Sequence, residues 1–135
     1  MNQEMSPQQE LFSALRVELE KTLPGRVYDG QMPPEGTEYP FVFLGNTTEK
    51  EGFYVKGSFF GGATIAVHVW TNNVRARGDL SSVLFAIRRL GHKVEETKNY
   101  GWCVSGADED IVPDNTTSEP LMHGIVNLEY KYWRI

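Results

Sequence analysis

The chain has 135 residues, 40% of them apolar and 23% charged, with a formal net charge of −5: one domain by size, with enough apolar side chains for a core. A single cysteine, Cys103, excludes an internal disulfide and fits a reducing compartment. No apolar run reaches the ~20 residues of a membrane helix, no basic start followed by an apolar run reads as a signal peptide, and the acidic balance argues against a dedicated nucleic-acid binder.

The first helix is expected to start at Ser6. Its hydroxyl is the N-cap, Pro7 takes the first helical position, and Gln9 stands where a capping-box partner belongs. Leu11, Phe12, Leu15, Leu19 and Leu23 then share one side, and Pro24-Gly25 ends the helix. Arg26-Val27-Tyr28 reads as a short strand stopped by Asp29-Gly30, followed by a linker at Pro33-Pro34. Tyr39 to Leu44 is a stronger strand, with Pro40 at an early position that tolerates a missing amide hydrogen. From Gly45 to Gly61 the composition is polar and rich in glycine, which predicts a long loop carrying Phe53, Tyr54, Phe59 and Phe60. Aromatic side chains on such a loop make sense if it folds against a neighbouring molecule.

The stretch from Gly62 to Leu90 forms the expected centre of the fold. Ala63, Ile65, Val67 and Val69 alternate with Thr64, Ala66, His68 and Trp70, the period of a strand with one buried face. Leu80, Val83, Leu84, Ile87 and Leu90 recur at helical spacing, with Asp79 as the expected N-cap and Gly91 as the expected stop. Another strand is expected around Tyr100 to Val104, then an acidic loop from Gly106 to Pro120. A final long strand, Gly124 to Ile135, alternates Val126, Leu128, Tyr130 and Tyr132 with polar neighbours. The order is helix, two strands, strand, helix, two strands. It predicts an α+β domain: a mainly antiparallel sheet with two helices packed on it.

Catalytic chemistry is hard to find. His68, His92 and His123 are the only histidines, and none has the spacing of a metal site. His68 reads as a packed or hydrogen-bonded strand residue, His123 as a strand entrance, and Cys103, between Trp102 and Val104, as a small buried hydrophobe. Asp108-Glu109-Asp110 lacks the ligand spacing of a calcium loop. Gly57, Gly61 and Gly62 precede a strand, so they do not form a phosphate-binding loop. Arg77-Gly78-Asp79 matches an adhesion tripeptide, but the helix start explains its aspartate better.

Three features point to assembly instead. Phe85 falls opposite the apolar stripe of its helix, beside Arg88 and Arg89, where a large aromatic is covered by its own chain or by another. Arg75, Arg77, Arg88, Arg89, His92 and Lys93 bracket that helix, while Asp108, Glu109, Asp110, Asp114 and Glu119 gather later; separate basic and acidic rims would suit self-association. The third feature is the aromatic loop.

The motifs in order are G-R-V-Y-D-G at Gly25 to Gly30, Y-P-F-V-F-L-G at Tyr39 to Gly45, H-V-W at His68 to Trp70, R-G-D-L at Arg77 to Leu80, and H-G-I-V-N-L-E-Y from His123. In that order the chain resembles the tail-completion, or tail-terminator, family of long-tailed bacteriophages. The resemblance covers nearly the whole chain and implies an α+β fold and a hexameric ring in the virion, at the head-proximal end of the tail tube. It further implies partners in the tail-tube protein and the head-tail connector or stopper, and passage of DNA without specific binding. No enzymatic activity, cofactor, metal or membrane is implied, and no catalytic residue is carried over. The interface residues expected on this reading are Phe53, Tyr54, Phe59, Phe60, Arg75, Arg77, Phe85, Arg88, Arg89, Asp108, Glu109 and Asp110. The alternatives are another neck component, or a small cytoplasmic enzyme or ligand-binding domain with a pocket around His68, Trp70 and Cys103.

Overall fold

The computed structural model describes residues 4–56 and 58–135. Helix α1 (Pro7–Thr22) begins as expected: the Gln9 amide donates to Ser6 Oγ at 3.2 Å, with Pro7 in the first turn. The Gln9 side chain does not return to Ser6 but donates to Ser13 Oγ at 3.1 Å. Gly25, at φ +74°, turns the chain after the helix, a left-handed conformation that glycine adopts without a Cβ penalty. Strand β1 (Val27–Asp29) then pairs in parallel with the start of β2 (Phe41–Val55).

Strand β3 (Ser58–Thr71), helix α2 (Arg77–Lys93), β4 (Tyr100–Asp114) and β5 (Leu121–Arg134) complete the chain. The five strands lie in the order β1-β2-β3-β5-β4, and every pair except β1–β2 is antiparallel. Both helices pack on one face, giving the expected α+β architecture: two helices on a mixed, mostly antiparallel sheet.

The core lies between the helices and that face. Ala63, Ile65, Val67 and Val69 of β3 and Val126, Leu128, Tyr130 and Tyr132 of β5 are buried, as their alternation predicts. They meet Leu11, Leu15 and Leu19 of α1 and Leu80, Leu84, Ile87 and Leu90 of α2 in one cluster. Val83, Phe12 and Leu23 pack at its margin. Glu10 is buried too and joins α1 to the α2–β4 connection: the Asn99 amide donates to Oε1 at 3.0 Å and Asn99 Nδ2 to Oε2 at 2.7 Å.

Five expectations are corrected. The Gly45 to Gly61 stretch is a β-hairpin, the far half of β2 and the start of β3, with irregular register between Leu44 and Thr47 and between Glu51 and Phe53. Gly57 lies outside the described residues. The Gly106 to Pro120 stretch continues β4 as far as Asp114, paired residue by residue with β5. Cross-strand backbone hydrogen bonds hold both segments as strands although their side chains are mostly exposed on both faces, so no alternation is written into them. Helix α2 begins at Arg77 with Ala76 at the cap and no capping side chain; Asp79 sits inside the first turn, where its charge complements the helix dipole. Gly91 lies within α2 rather than stopping it. A Cβ there would stand 2.8 Å from Leu128 Cδ1 and 3.0 Å from the Tyr130 hydroxyl, and that hydroxyl donates to the Gly91 carbonyl at 2.7 Å. Close approach of helix to sheet is what requires glycine. Finally, Cys103 is exposed, because Trp102 takes the buried face of β4 and strand alternation turns its neighbour outward.

Candidate assembly surface

Beyond Leu44, β2 has outrun its parallel partner β1, which reaches only Val42 to Leu44. The paired ribbon of β2 and β3 continues past the helices and ends in an arm. Phe53 is 58% exposed, Tyr54 64% and Phe60 50%. Phe53 and Phe60 stack across the ribbon with centroids 5.6 Å apart, and Tyr54 stacks on Phe59 at 6.3 Å. Phe59 is half-buried and anchors the arm on Tyr100 and Tyr132, with the Arg134 guanidinium over its ring at 5.9 Å. Trp133 of β5 stands opposite Phe60 and is also exposed. The aromatic residues expected on a loop are thus presented by a strand pair, and their register supplies the clustering.

A second exposed group lies on α2. Phe85 is 46% exposed, and the guanidiniums of Arg88 and Arg89 lie 5.1 and 5.6 Å from its ring centroid, a cation–π arrangement. Arg88 also pairs with Glu109 at 3.2 Å, so the basic helix and the acidic strand meet within one chain at this point. Asp108 accepts a hydrogen bond from Asn127 Nδ2 at 2.9 Å on the opposite face of the sheet, the face Asp110 also shares by strand alternation. Arg75 and Arg77 are exposed at the start of α2. The twelve residues therefore divide: an aromatic arm, the Phe85–Arg88–Arg89–Glu109 group, two arginines at the head of α2, and two aspartates across the sheet.

The sheet face away from the helices holds a cluster that sequence spacing conceals. His68 on β3 and His123 on β5 are 55 residues apart, yet His68 Nδ1 and His123 Nε2 share a hydrogen bond of 2.8 Å. Trp70 stacks on His123 at 4.1 Å and on Phe41 at 5.5 Å, and its indole N–H donates to Asp114 Oδ2 at 3.3 Å. The expectation that His68 is a packed or hydrogen-bonded strand residue holds. Cys103 stands apart, paired with Lys131, eight residues along β5 from His123. Next to Trp70 the chain segments 32–41 and 114–121 enclose an open groove of about 700 Å³ lined by Tyr39, Phe41 and Trp70 with Glu35, Asp114 and Glu119. Among the described residues no group of three or more His, Cys, Asp or Glu side chains could hold a metal ion.

Burial pushes both histidines below their ordinary pKa, and for His123 the neighbouring His68 adds to this while Asp114 opposes it. A folded pKa below the unfolded value means that the unfolded chain takes up protons first as pH falls. Stability is therefore expected to be level above about pH 6.5 and to decline below it. Thermal melts between pH 7.5 and 5.5 check this, and His123→Gln should flatten the decline.

Comparison with known proteins gives likeness in fold rather than in sequence. No family model matches the chain, and no curated protein matches its sequence. A chain of the solved virion of a native gene transfer agent particle superposes with a TM-score of 0.60 at 15% identity, covering 96% of this chain and 94% of that one. A second solved structure gives a TM-score of 0.49 at 14% identity, over 96% of this chain and 97% of that chain. The first of these shares the fold from end to end.

Proposed function

We propose that this chain is a structural virion subunit that closes the head-proximal end of a phage-type tail tube. On this reading it forms a hexameric ring, ends tube polymerisation and offers the docking surface for the head connector. The observation that carries the proposal is the exposed aromatic arm, Phe53, Tyr54 and Phe60 stacked on a paired ribbon. Apolar rings on an ordered element favour contact with another polypeptide. The order of sequence motifs supports the proposal, as does a shared fold with a chain from a gene transfer agent virion. A net charge of −5 suits a ring through which DNA slides, since a basic lumen would hold the phosphates.

On this reading the chain performs no catalysis and uses no cofactor. It assembles in the host cytoplasm, and its partners are further copies of itself, the tube protein and the connector or stopper. Electron microscopy of particles made without this chain tests the proposal. Tails of uncontrolled length, or heads without tails, are expected. Particles of normal tail length and normal head joining would overturn it.

A further inference from the structure

We infer that the aromatic arm of one copy seats in the Trp70 groove of the next copy, so that subunits join head to tail. This rests on the proposal that the chain is an assembling subunit, and it names the contact that assembles it.

The arm and the groove lie at opposite ends of the same strands. Phe59 and Phe60 open β3, and Trp70 stands near its close. Ten or eleven residues separate them, about 35 Å at ~3.3 Å per residue, so a chain cannot place its arm in its own groove. The two surfaces nevertheless complement each other. The arm offers Phe53, Tyr54 and Phe60, and the groove offers the rings of Tyr39 and Trp70, with the buried Phe41 packed against both. Lys56 is exposed at the turn of the arm, and Lys50, also exposed, lies on the ribbon face that carries Phe53 and Phe60, while Glu49 and Glu51 lie on the other face. The groove is bordered by Glu35, Asp114 and Glu119, and no lysine or arginine lines it among the described residues. Asp114 is kept charged: hydrogen bonds from Thr116 and the Trp70 indole hold its carboxyl below the usual range.

Opposite charges at the rim steer and orient, and burial of apolar rings at the centre supplies affinity. A contact between two different surfaces of one chain is heterologous, and repeated copies close into a ring when the rotation permits. A second copy of this chain is thus the occupant that the rim charges and the exposed rings select.

Disulfide trapping in the purified full chain tests the contact. With exposed Cys103 changed to serine, one chain carries Tyr54→Cys on the arm and Thr117→Cys at the groove. Bridging needs Cα atoms within about 7 Å, which the two positions of one chain cannot reach. Oxidation at high protein concentration is expected to give a ladder of covalent oligomers. A mixture of the two singly substituted chains should give dimers. Adding Phe60→Asp, with folding checked by thermal melt, should cut the yield about tenfold or more by placing an unpaired charge in the contact.

A ladder no stronger than that of a control pairing Tyr54→Cys with Val17→Cys, an exposed site on α1, would overturn the inference. So would trapping of Tyr54→Cys on the tube protein with none on Thr117→Cys. Failure here is distinguishable from failure of the proposed function. Without a ladder but with tail defects in particles lacking the chain, only this contact is wrong. With a ladder and normal particles, the contact stands and the tail role falls.

Discussion

Leu84→Ala is expected to remove about 3–4 kcal/mol of stability, because it deletes a fully buried side chain and leaves a cavity that its surroundings fill only in part. Leu84 is 0% exposed on the inner side of α2, and its methyl groups occupy the space above Gly124 of β5, where a Cβ would come within 2.8 Å. That fit lets helix and strand approach closely, and alanine at position 84 opens a void at the point of contact. Domains of this kind hold only about 5–15 kcal/mol in reserve, so the loss is a large fraction of the total. Urea denaturation followed by circular dichroism measures it. The neighbouring substitution provides the contrast: Phe85 is 46% exposed, and Phe85→Ala should cost less than about 1 kcal/mol. A cost above 2 kcal/mol would show that Phe85 supports the monomer instead of facing outward.

The second large effect is expected at Glu10, whose carboxylate is buried and receives two hydrogen bonds from Asn99. Glu10→Ala leaves those donors without their charged acceptor and should cost about 3 kcal/mol, near the upper end for hydrogen bonds to a charged group. The pH dependence follows from the same geometry. Burial alone would raise the pKa of Glu10, but hydrogen bonds from Thr97 and Asn99, with the charge of Lys98, leave it lowered. A carboxyl with a depressed folded pKa contributes stability above its unfolded value, near 4.5, and that contribution disappears as pH falls through the folded value. Wild type should therefore lose stability on acidification below about pH 5, and Glu10→Gln should lose less. Equal slopes for the two proteins in melts from pH 6 to 3 would exclude Glu10 as the group responsible.

The sites differ in what holds them. Glu10 and Leu84 act within one chain, whereas Phe53, Tyr54 and Phe60 have few intramolecular neighbours beyond the ring stacks of the arm. Substitutions of the first kind should lower melting temperature at any protein concentration. Those of the second kind should leave the monomer folded and change only association.

Much of this could be read from residue order alone. The Ser6-Pro7 helix start, the stripe of Leu80, Leu84, Ile87 and Leu90, and the alternation in β3 and β5 each bury one face. Burial of one face writes its period into the chain, so helix, strand and the α+β class follow without coordinates. The arm and the far half of β4 carry no such imprint. Apart from Phe59 and Ile111, their side chains mostly meet solvent on both faces, and the backbone pairing of β2 with β3 and of β4 with β5 makes them strands. Gly91 has the sequence signature of a helix stop, yet the proximity of Leu128 and Tyr130 explains it. The pairing of His68 with His123 and the groove beside Trp70 exist because the strand order places β5 next to β3. Local periodicity records which side of an element is dry; which distant residues become neighbours is decided by strand order and register, and these depend on contacts between segments far apart in the chain.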